Sequence, residues 1–241
     1  KHHQFLKGDF LSFQDYYNSY LHSEIKFNQD YEKLLEYTKD LNELLHSKKI
    51  KEAHRSLLIS GILIALQNAA FKNSFISHKK PEQLAKNILS TIVDEFTNAN
   101  LPTDKVNNLK QAFSFILTNT TLTTDKDFFI ELIKNIEENV NNFMRTHKYF
   151  DTLGQFYIEF LRYANSDKGL GIVLTPPHIT ELFAEIVNVD KDSVVFDNCC
   201  GTGGFLISAM KKMIRDANGD SNKINHIKNS QLIGIEYQDD I

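Results

Sequence analysis

The sequence predicts a multi-domain protein of the α and α/β classes, with an N-terminal helical bundle followed by the beginning of a parallel α/β domain. Hydrophobic residues recur at helical spacing between about residues 31 and 142, where almost no strand pattern occurs. Glycines are sparse before residue 165 and frequent after it. A strand, a glycine-rich turn, a helix and a second strand are predicted between residues 193 and 236, as at the beginning of a right-handed parallel crossover.

The N-terminal domain, residues 1–147, is predicted to contain helices alone. Its leucines recur at three- and four-residue spacing, which predicts a buried helical face formed by Leu34, Leu35, Leu41, Leu44 and Leu45. Residues 51–71 are apolar on most faces and are predicted to lie at the centre of the bundle. Further helices are predicted over residues 81–98, 103–118 and 124–144, with Pro81 at a first helical position and Thr103 and Thr124 as N-caps.

The second domain, residues 148–241, is predicted to begin after a boundary near residues 142–151. Its elements are predicted as a helix (151–164), a loop (165–174), a helix (175–187), a strand (193–197), a helix (203–216), a polar connection (217–230) and a strand (231–236). The sequence has no initiating Met and is expected to begin inside a longer chain.

Composition argues against several classes of protein. A net charge of -4 and a pI of about 6.1 argue against a free-standing basic nucleic-acid binder. The only cysteines, Cys199 and Cys200, cannot form a disulfide framework or a four-ligand zinc site, which favours a reducing, cytoplasmic location. The histidines show no metal-ligand spacing, so no metal site is predicted. The longest apolar run, residues 57–66, is about half of the roughly 20 residues that a membrane span requires, and residues 1–10 lack a secretory signal pattern.

The turn after the first predicted strand is the most informative segment. The strand ends at Asp197, and the chain then passes through Gly201, Gly203 and Gly204 into an apolar helix. Glycines allow the backbone to approach a ligand closely, and the N-terminus of the helix directs N–H groups at it. Asp197 would repel the pyrophosphate of NAD, whereas it favours the ammonium and sulfonium of S-adenosylmethionine. A glycine-rich turn without a ligand is the alternative.

Two flanking elements add to this interpretation. The second strand ends at Glu236, where an acid meets ribose hydroxyls in a Rossmann-like unit, although a charged residue closing an edge strand is the alternative. The segment from Thr175 through Pro176 and Pro177 precedes a helix, with Thr175 predicted as its N-cap. Capping alone explains this second element in isolation, but its position allows it to close over the methionine end of a cofactor.

The motifs resemble those of adenine-N6 DNA methyltransferases. Residues 197–206, DNCCGTGGFL, resemble the Asp-Pro-Ala-Cys-Gly-Thr-Gly-Gly-Phe-Leu motif of that family, especially in modification subunits of type I restriction systems and in fused restriction-modification enzymes. Residues 175–179, TPPHI, resemble the motif that such enzymes place ahead of the first strand. Asn198 stands where the family usually has proline, and Leu174 stands where an aromatic residue is common.

The resemblance implies a cofactor, S-adenosyl-L-methionine, and a set of residues that bind it. In the family the threonine contacts the methionine carboxylate, the strand-end acid and the loop backbone hold the amino group, and the second acid binds ribose. The implied cofactor-binding residues are Thr175, Pro176, Asp197, Cys199, Cys200, Gly201, Thr202, Gly203, Gly204, Phe205 and Glu236.

The resemblance also implies the reaction, the methylation of adenine N6 in DNA, with the target base flipped out of the duplex. The catalytic Asn/Asp-Pro-Pro-Tyr/Phe element of the family does not occur in the sequence, so it is expected beyond Ile241 and the 241-residue chain alone is expected to be inactive. Double-stranded DNA and the specificity and restriction subunits of the same system are the implied partners, with no membrane. Two alternatives remain open: methylation of protein glutamine or RNA, and a non-catalytic assembly role. The N-terminal helices also carry basic residues, for which a solvated face is favoured over contact with DNA phosphate: Lys48, Lys49, Lys51 and Arg55.

Overall fold

The computed structural model describes residues 12–21, 23–99, 101–147 and 175–237. The predicted helix over residues 151–164 and the loop over 165–174 lie outside these ranges. In the described part before residue 148, the secondary structure is helical throughout, as predicted. The helices are α1 (Phe13–Leu21), α2 (Glu24–Ser47), α3 (Glu52–Ala65), α4 (Ala69–Ser74), α5 (Pro81–Asn98), α6 (Thr103–Phe113), α7 (Phe115–Thr118), α8 (Thr120–Thr124), α9 (Lys126–Ile136) and α10 (Asn142–Thr146), with a 3₁₀ turn at Phe75–Ser77 and a π-helical turn at Glu137–Asn141.

One apolar core joins helices α2 to α10. The predicted leucine face of α2 is confirmed for Leu34, Leu41 and Leu45, which are buried, whereas Leu44 is 37% exposed. Helix α3 lies at the centre, as predicted, because its buried residues lie on several faces of the helix. None of the described helices has the length and apolarity that a membrane span requires.

The helices predicted as long single segments are divided in the structure. Residues 51–71 form α3 and the beginning of α4, because the Asn68 side chain accepts the Phe71 N–H and starts a new helix. Residues 103–118 are divided at Ser114 into α6 and α7. The predicted caps Thr103 and Thr124 are wrong: α6 has no side-chain cap, and α9 is capped by Asp125, whose carboxylate accepts the Phe128 N–H.

Gly61 allows α3 to approach its neighbours closely. A Cβ atom at this position would lie 2.9 Å from Cε1 of Phe113 and 3.0 Å from Cδ1 of Ile92, and both of those side chains are buried. A larger residue would therefore have to displace buried side chains of a closely packed core.

We expect Gly61→Val to lower the free energy of unfolding by about 1–3 kcal/mol, the usual range for overpacking a core. Ser60→Val, one residue earlier on the same helix at a half-buried position, is the matched control. Urea denaturation of both variants measures the difference. Equal effects of the two substitutions would show that Gly61 is not closely packed.

The prediction that Arg55 lies on a solvated face is wrong. This guanidinium is buried, and it donates to the Asn42 side chain at 2.7 Å and to the Ile50 carbonyl at 3.1 Å. Burial lowers the pKa of Arg55 below its usual value. Lys48 forms a 2.8 Å ion pair with Asp125. Arg55 therefore stabilises the junction of α2 and α3, and it is not positioned to contact a phosphate.

A second set of elements follows residue 175. These are α11 (Pro177–Ile186), β1 (Val195–Asp197), α12 (Gly204–Asp216), α13 (Ser221–Ser230) and β2 (Leu232–Gly234). The two strands are parallel, with Val195 opposite Leu232 and Asp197 opposite Gly234. The predicted strand, helix and second strand are all present, with an additional helix, α13, before β2. These elements have a core of their own, formed by Val189, Ala209, Met213, Ala217 and Ile227.

The polar connection predicted over residues 217–230 contains a helix, α13, so this prediction is wrong. The Asp220 carboxylate accepts the N–H groups of Asn222 and Lys223 and thereby caps the helix. Ile227 is fully buried and packs α13 onto the second core. A good N-cap and two apolar residues, Ile224 and Ile227, stabilise a helix here despite a polar sequence.

Candidate cofactor-binding site

The carboxyl ends of β1 and β2 lie side by side and are joined by the backbone. The Ile235 N–H donates to the Asp197 carbonyl at 2.9 Å, and the Cys200 N–H donates to the Ile235 carbonyl at 3.0 Å. The loop that follows β1 is therefore attached to the segment that follows β2. This pairing brings three of the predicted site residues, Asp197, Cys200 and Glu236, into one place.

The loop between β1 and α12 adopts the backbone conformation that its glycines predict. Gly201 has φ +51° and Gly203 has φ +86°, both in the left-handed region that favours glycine. The Gly203 N–H donates to the Cys200 carbonyl at 2.8 Å and closes the turn. Gly203 is also the N-cap of α12, so no side chain of the cap residue accepts the first N–H groups of the helix.

Two carboxylates act on this loop. Asp197 Oδ1 accepts the Cys199 N–H at 3.1 Å, and Glu236 Oε2 accepts the Gly201 N–H at 2.8 Å. Burial raises the pKa of the Cys200 thiol, and the charges of Asp197 and Glu236 raise it further. Both acids therefore lie close enough to influence the same side chain.

Gly234 is a site residue that the sequence interpretation missed. A Cβ atom on Gly234 would lie 2.8 Å from Leu206 Cδ1 and 2.9 Å from Cys200 Sγ. The absence of a side chain lets the glycine loop and the first turn of α12 pack directly on β2. A glycine inside an otherwise apolar strand is the sequence signal for such a close approach.

Thr175 does not cap the helix that follows it, so that prediction is wrong. Pro176 occupies the N-cap position of α11, Pro177 the first helical position, and no side chain caps the helix. Proline suits the first helical position because it lacks only an N–H group that would have no partner there. The N-cap thus lies one residue later than predicted, and Thr175 is exposed just before it.

Helix α11 is fixed to the helix that begins at the glycine loop. The hydroxyls of Thr180 on α11 and Ser208 on α12, both buried, are 2.7 Å apart and hydrogen-bonded. The rings of Phe183 and Phe205 meet edge to face, with centroids 5.7 Å apart. Phe205, a predicted cofactor-binding residue, thus also packs the two helices together. Thr175 and Pro176 are connected to the loop through this helix pair.

The predicted residues do not line the groove that lies between α11 and α12. This groove, with a volume of about 290 Å³, is lined by side chains that include His178, Glu181, Leu182 and Lys211. Lys211 is paired with Glu181 at 2.6 Å, so its charge is compensated. In the described ranges, no group of three or more His, Cys, Asp and Glu side chains is arranged to hold a metal ion.

The parallel strands, the glycine loop and the acids at the strand ends define an α/β unit whose candidate ligand site lies at the carboxyl ends of its strands. Residues 148–240 match the family model described as N-6 DNA Methylase. This match confirms the predicted resemblance to adenine-N6 DNA methyltransferases of restriction-modification systems.

Comparison with curated proteins gives relatives that carry restriction and methyltransferase names. Over 209 residues the chain is 34% identical to the type II restriction enzyme and methyltransferase RM.BcgI of Heyndrickxia coagulans, a match that covers 83% of this chain and 33% of that protein. Over 77 residues, 31% of this chain and 14% of the relative, it is 34% identical to the type I restriction enzyme MjaIX methylase subunit of Methanocaldococcus jannaschii. Over 85 residues, 34% of this chain and 21% of the relative, it is 33% identical to the type II methyltransferase M.VspI of a Vibrio species. The alignment with RM.BcgI thus spans about a third of that protein's length.

Proposed function

We propose that the chain forms the cofactor-binding part of an S-adenosylmethionine-dependent DNA methyltransferase of a restriction-modification system, specific for adenine N6. One observation carries the proposal: the acids that end β1 and follow β2 flank a single glycine loop, inside the region that matches the N-6 DNA methylase family. The names of the relatives support the restriction-modification setting.

The chemistry of the site fits S-adenosylmethionine. This cofactor supplies a methyl group on a positively charged sulfonium, beside an ammonium and a carboxylate. Asp197 at the end of β1 is suited to the ammonium, and Glu236 to the ribose hydroxyls. The N–H groups at the beginning of α12 and the Thr175 hydroxyl are suited to the carboxylate. The loop residues Cys199, Cys200, Gly201, Thr202, Gly203 and Gly204, with Pro176 and Phe205, complete the proposed set.

We also propose that the chain has two separate domains, the helical bundle over residues 1–147 and a second domain over residues 148–241. The strands and helices of the second domain begin a Rossmann-like sheet. Parallel sheets are usually covered on both faces. Here Val195 and Leu232 pack against helices, while Phe196 and Ile233 on the other face are 59% and 46% exposed. The separate apolar cores of the two regions support the division.

The chain's contribution to catalysis is to bind and orient the cofactor, which reduces the entropic part of the barrier. Adenine N6 is a poor nucleophile because its lone pair is delocalised into the ring. The Asn/Asp-Pro-Pro-Tyr/Phe element that would accept hydrogen bonds from it does not occur among the 241 residues. DNA and the specificity and restriction subunits of such a system are the proposed partners, and the cytoplasm is the proposed location.

The purified 241-residue chain is expected to bind S-adenosylmethionine and to transfer no methyl group to DNA. Calorimetry measures the binding, with NAD as a control ligand that Asp197 should exclude. Incubation of DNA with cofactor carrying a radioactive methyl group measures the transfer. Labelled DNA would contradict the expected inactivity. A folded chain that binds NAD, or neither ligand, would contradict the cofactor assignment.

A further inference from the structure

The carboxylate of Glu236 is hydrogen-bonded to two backbone amides. Its Oε2 accepts the Gly201 N–H at 2.8 Å, and its Oε1 accepts the Tyr237 N–H at 2.8 Å. The first bond links the segment after β2 to the glycine loop after β1, across 35 positions of sequence. Binding a ribose does not require the bond to Gly201, so this bond indicates a second role for Glu236 at the site.

Gly201 lies at the point where the loop leaves the sheet. Backbone hydrogen bonds attach the loop to the end of β2 as far as Cys200, whose N–H donates to the Ile235 carbonyl at 3.0 Å. The next residue, Gly201, adopts φ +51°, and its N–H donates to the Glu236 side chain. The carboxylate therefore extends the attachment by one residue, into the part of the loop with left-handed backbone.

We infer that Glu236 is a positioning residue, whose carboxylate holds the glycine loop in the conformation that receives the adenosyl cofactor before the cofactor binds. This inference rests on the proposed function, because the loop is the proposed cofactor site. Two amides do not by themselves use the full acceptor capacity of a carboxylate, which is about four hydrogen bonds. Hydrogen bonds from amides to a charged acceptor are stronger than those to a neutral one, which suits a side chain that holds backbone in place.

Glu236→Gln tests the inference in the full protein that carries these residues. A carboxamide has one oxygen and one NH₂ group, so it accepts one of the two amide protons and opposes the other with a donor. In the cofactor-free protein we expect hydrogen–deuterium exchange in peptides covering residues 200–203 to become about tenfold faster, the loss expected for a hydrogen bond to a charged group. Glu181→Gln, an exposed glutamate on α11, is the matched control. Because the carboxamide oxygen can still face the Gly201 N–H, Glu236→Ala, which removes both acceptors, is measured beside it. Unchanged exchange of the loop in Glu236→Ala would overturn the inference.

Ligand binding separates positioning from ribose recognition. The two probes are S-adenosylhomocysteine and its 2′,3′-dideoxy analogue, which lacks the ribose hydroxyls. If Glu236 positions the loop, Glu236→Gln also weakens the binding of the analogue by about tenfold, while the melting temperature of the protein is unchanged. If Glu236 only binds ribose, the analogue binds wild type and variant equally, and the inference fails.

Glu236→Asp is a third variant of the same side chain. Glu236→Asp keeps the charge on a side chain one methylene shorter, so it should also loosen the loop, and it replaces Glu236→Gln if that variant does not fold. If neither ligand binds the wild-type protein, the proposed function fails, and the exchange measurement alone then decides whether Glu236 holds the loop.

Discussion

Asp197→Asn is expected to weaken the binding of S-adenosylmethionine by about tenfold to a hundredfold, the range for losing a hydrogen bond to a charged group. Asparagine has nearly the same shape, and its side-chain oxygen can still accept the Cys199 N–H that Asp197 accepts at 3.1 Å. The substitution therefore removes the negative charge and leaves the turn intact. Isothermal calorimetry measures the affinity, and a thermal melt confirms that the variant is folded.

Asp192→Asn is the matched control for this experiment. Asp192 lies five residues before Asp197, is exposed, and forms an ion pair with Lys223 at 2.8 Å. Its charge lies outside the glycine loop, so its removal should leave the affinity within about twofold of wild type, as small surface effects usually do. If both variants bind the cofactor as tightly as the wild type, Asp197 does not hold its ammonium group.

The sequence was sufficient to predict that the N-terminal part is helical, but not the residues at which each helix begins and ends. The leucine spacing of α2 predicted the buried face because that pattern repeats over several turns. The breaks depend on single residues: Asn68 begins α4, and Asp125 begins α9. The capping hydrogen bond of each residue competes with the continuation of the preceding helix. A periodic pattern of apolar residues does not indicate which of the two forms. Helix α13 was missed for the same reason, since a cap at Asp220 and the packing of Ile224 and Ile227 decide it.

The candidate site was predictable where chain topology alone determines it. Parallel strands end at the same edge, so the acid at the end of β1 and the acid after β2 had to meet near the glycine loop. The contact of Gly234 with Cys200 and the bond from Gly201 to Glu236 were not predictable, because they depend on distances between segments remote in sequence. The roles of the site residues in binding remain predictions.

Phe129→Ala is expected to lower the free energy of unfolding of the helical bundle by about 3–5 kcal/mol, the usual loss for a buried phenylalanine. Phe129 on α9 is 0% exposed and lies in the core that joins α2 to α10. Removing its ring leaves a cavity that the surrounding helices cannot fill completely. Phe13→Ala is the matched control: Phe13 on α1 is 83% exposed, so the same substitution there should change stability by less than about 0.5 kcal/mol. Urea denaturation measures both.

The same variant tests the proposed division into two domains. The core around Phe129 shares no residue with the core around Met213, so a loss of packing in the first should leave the second intact. We expect urea to produce two transitions, of which Phe129→Ala shifts only the one that belongs to the bundle, while cofactor binding persists under conditions that unfold the bundle. A single transition that shifts as a whole, with cofactor binding lost at the same urea concentration, would show instead that the two cores fold as one cooperative unit.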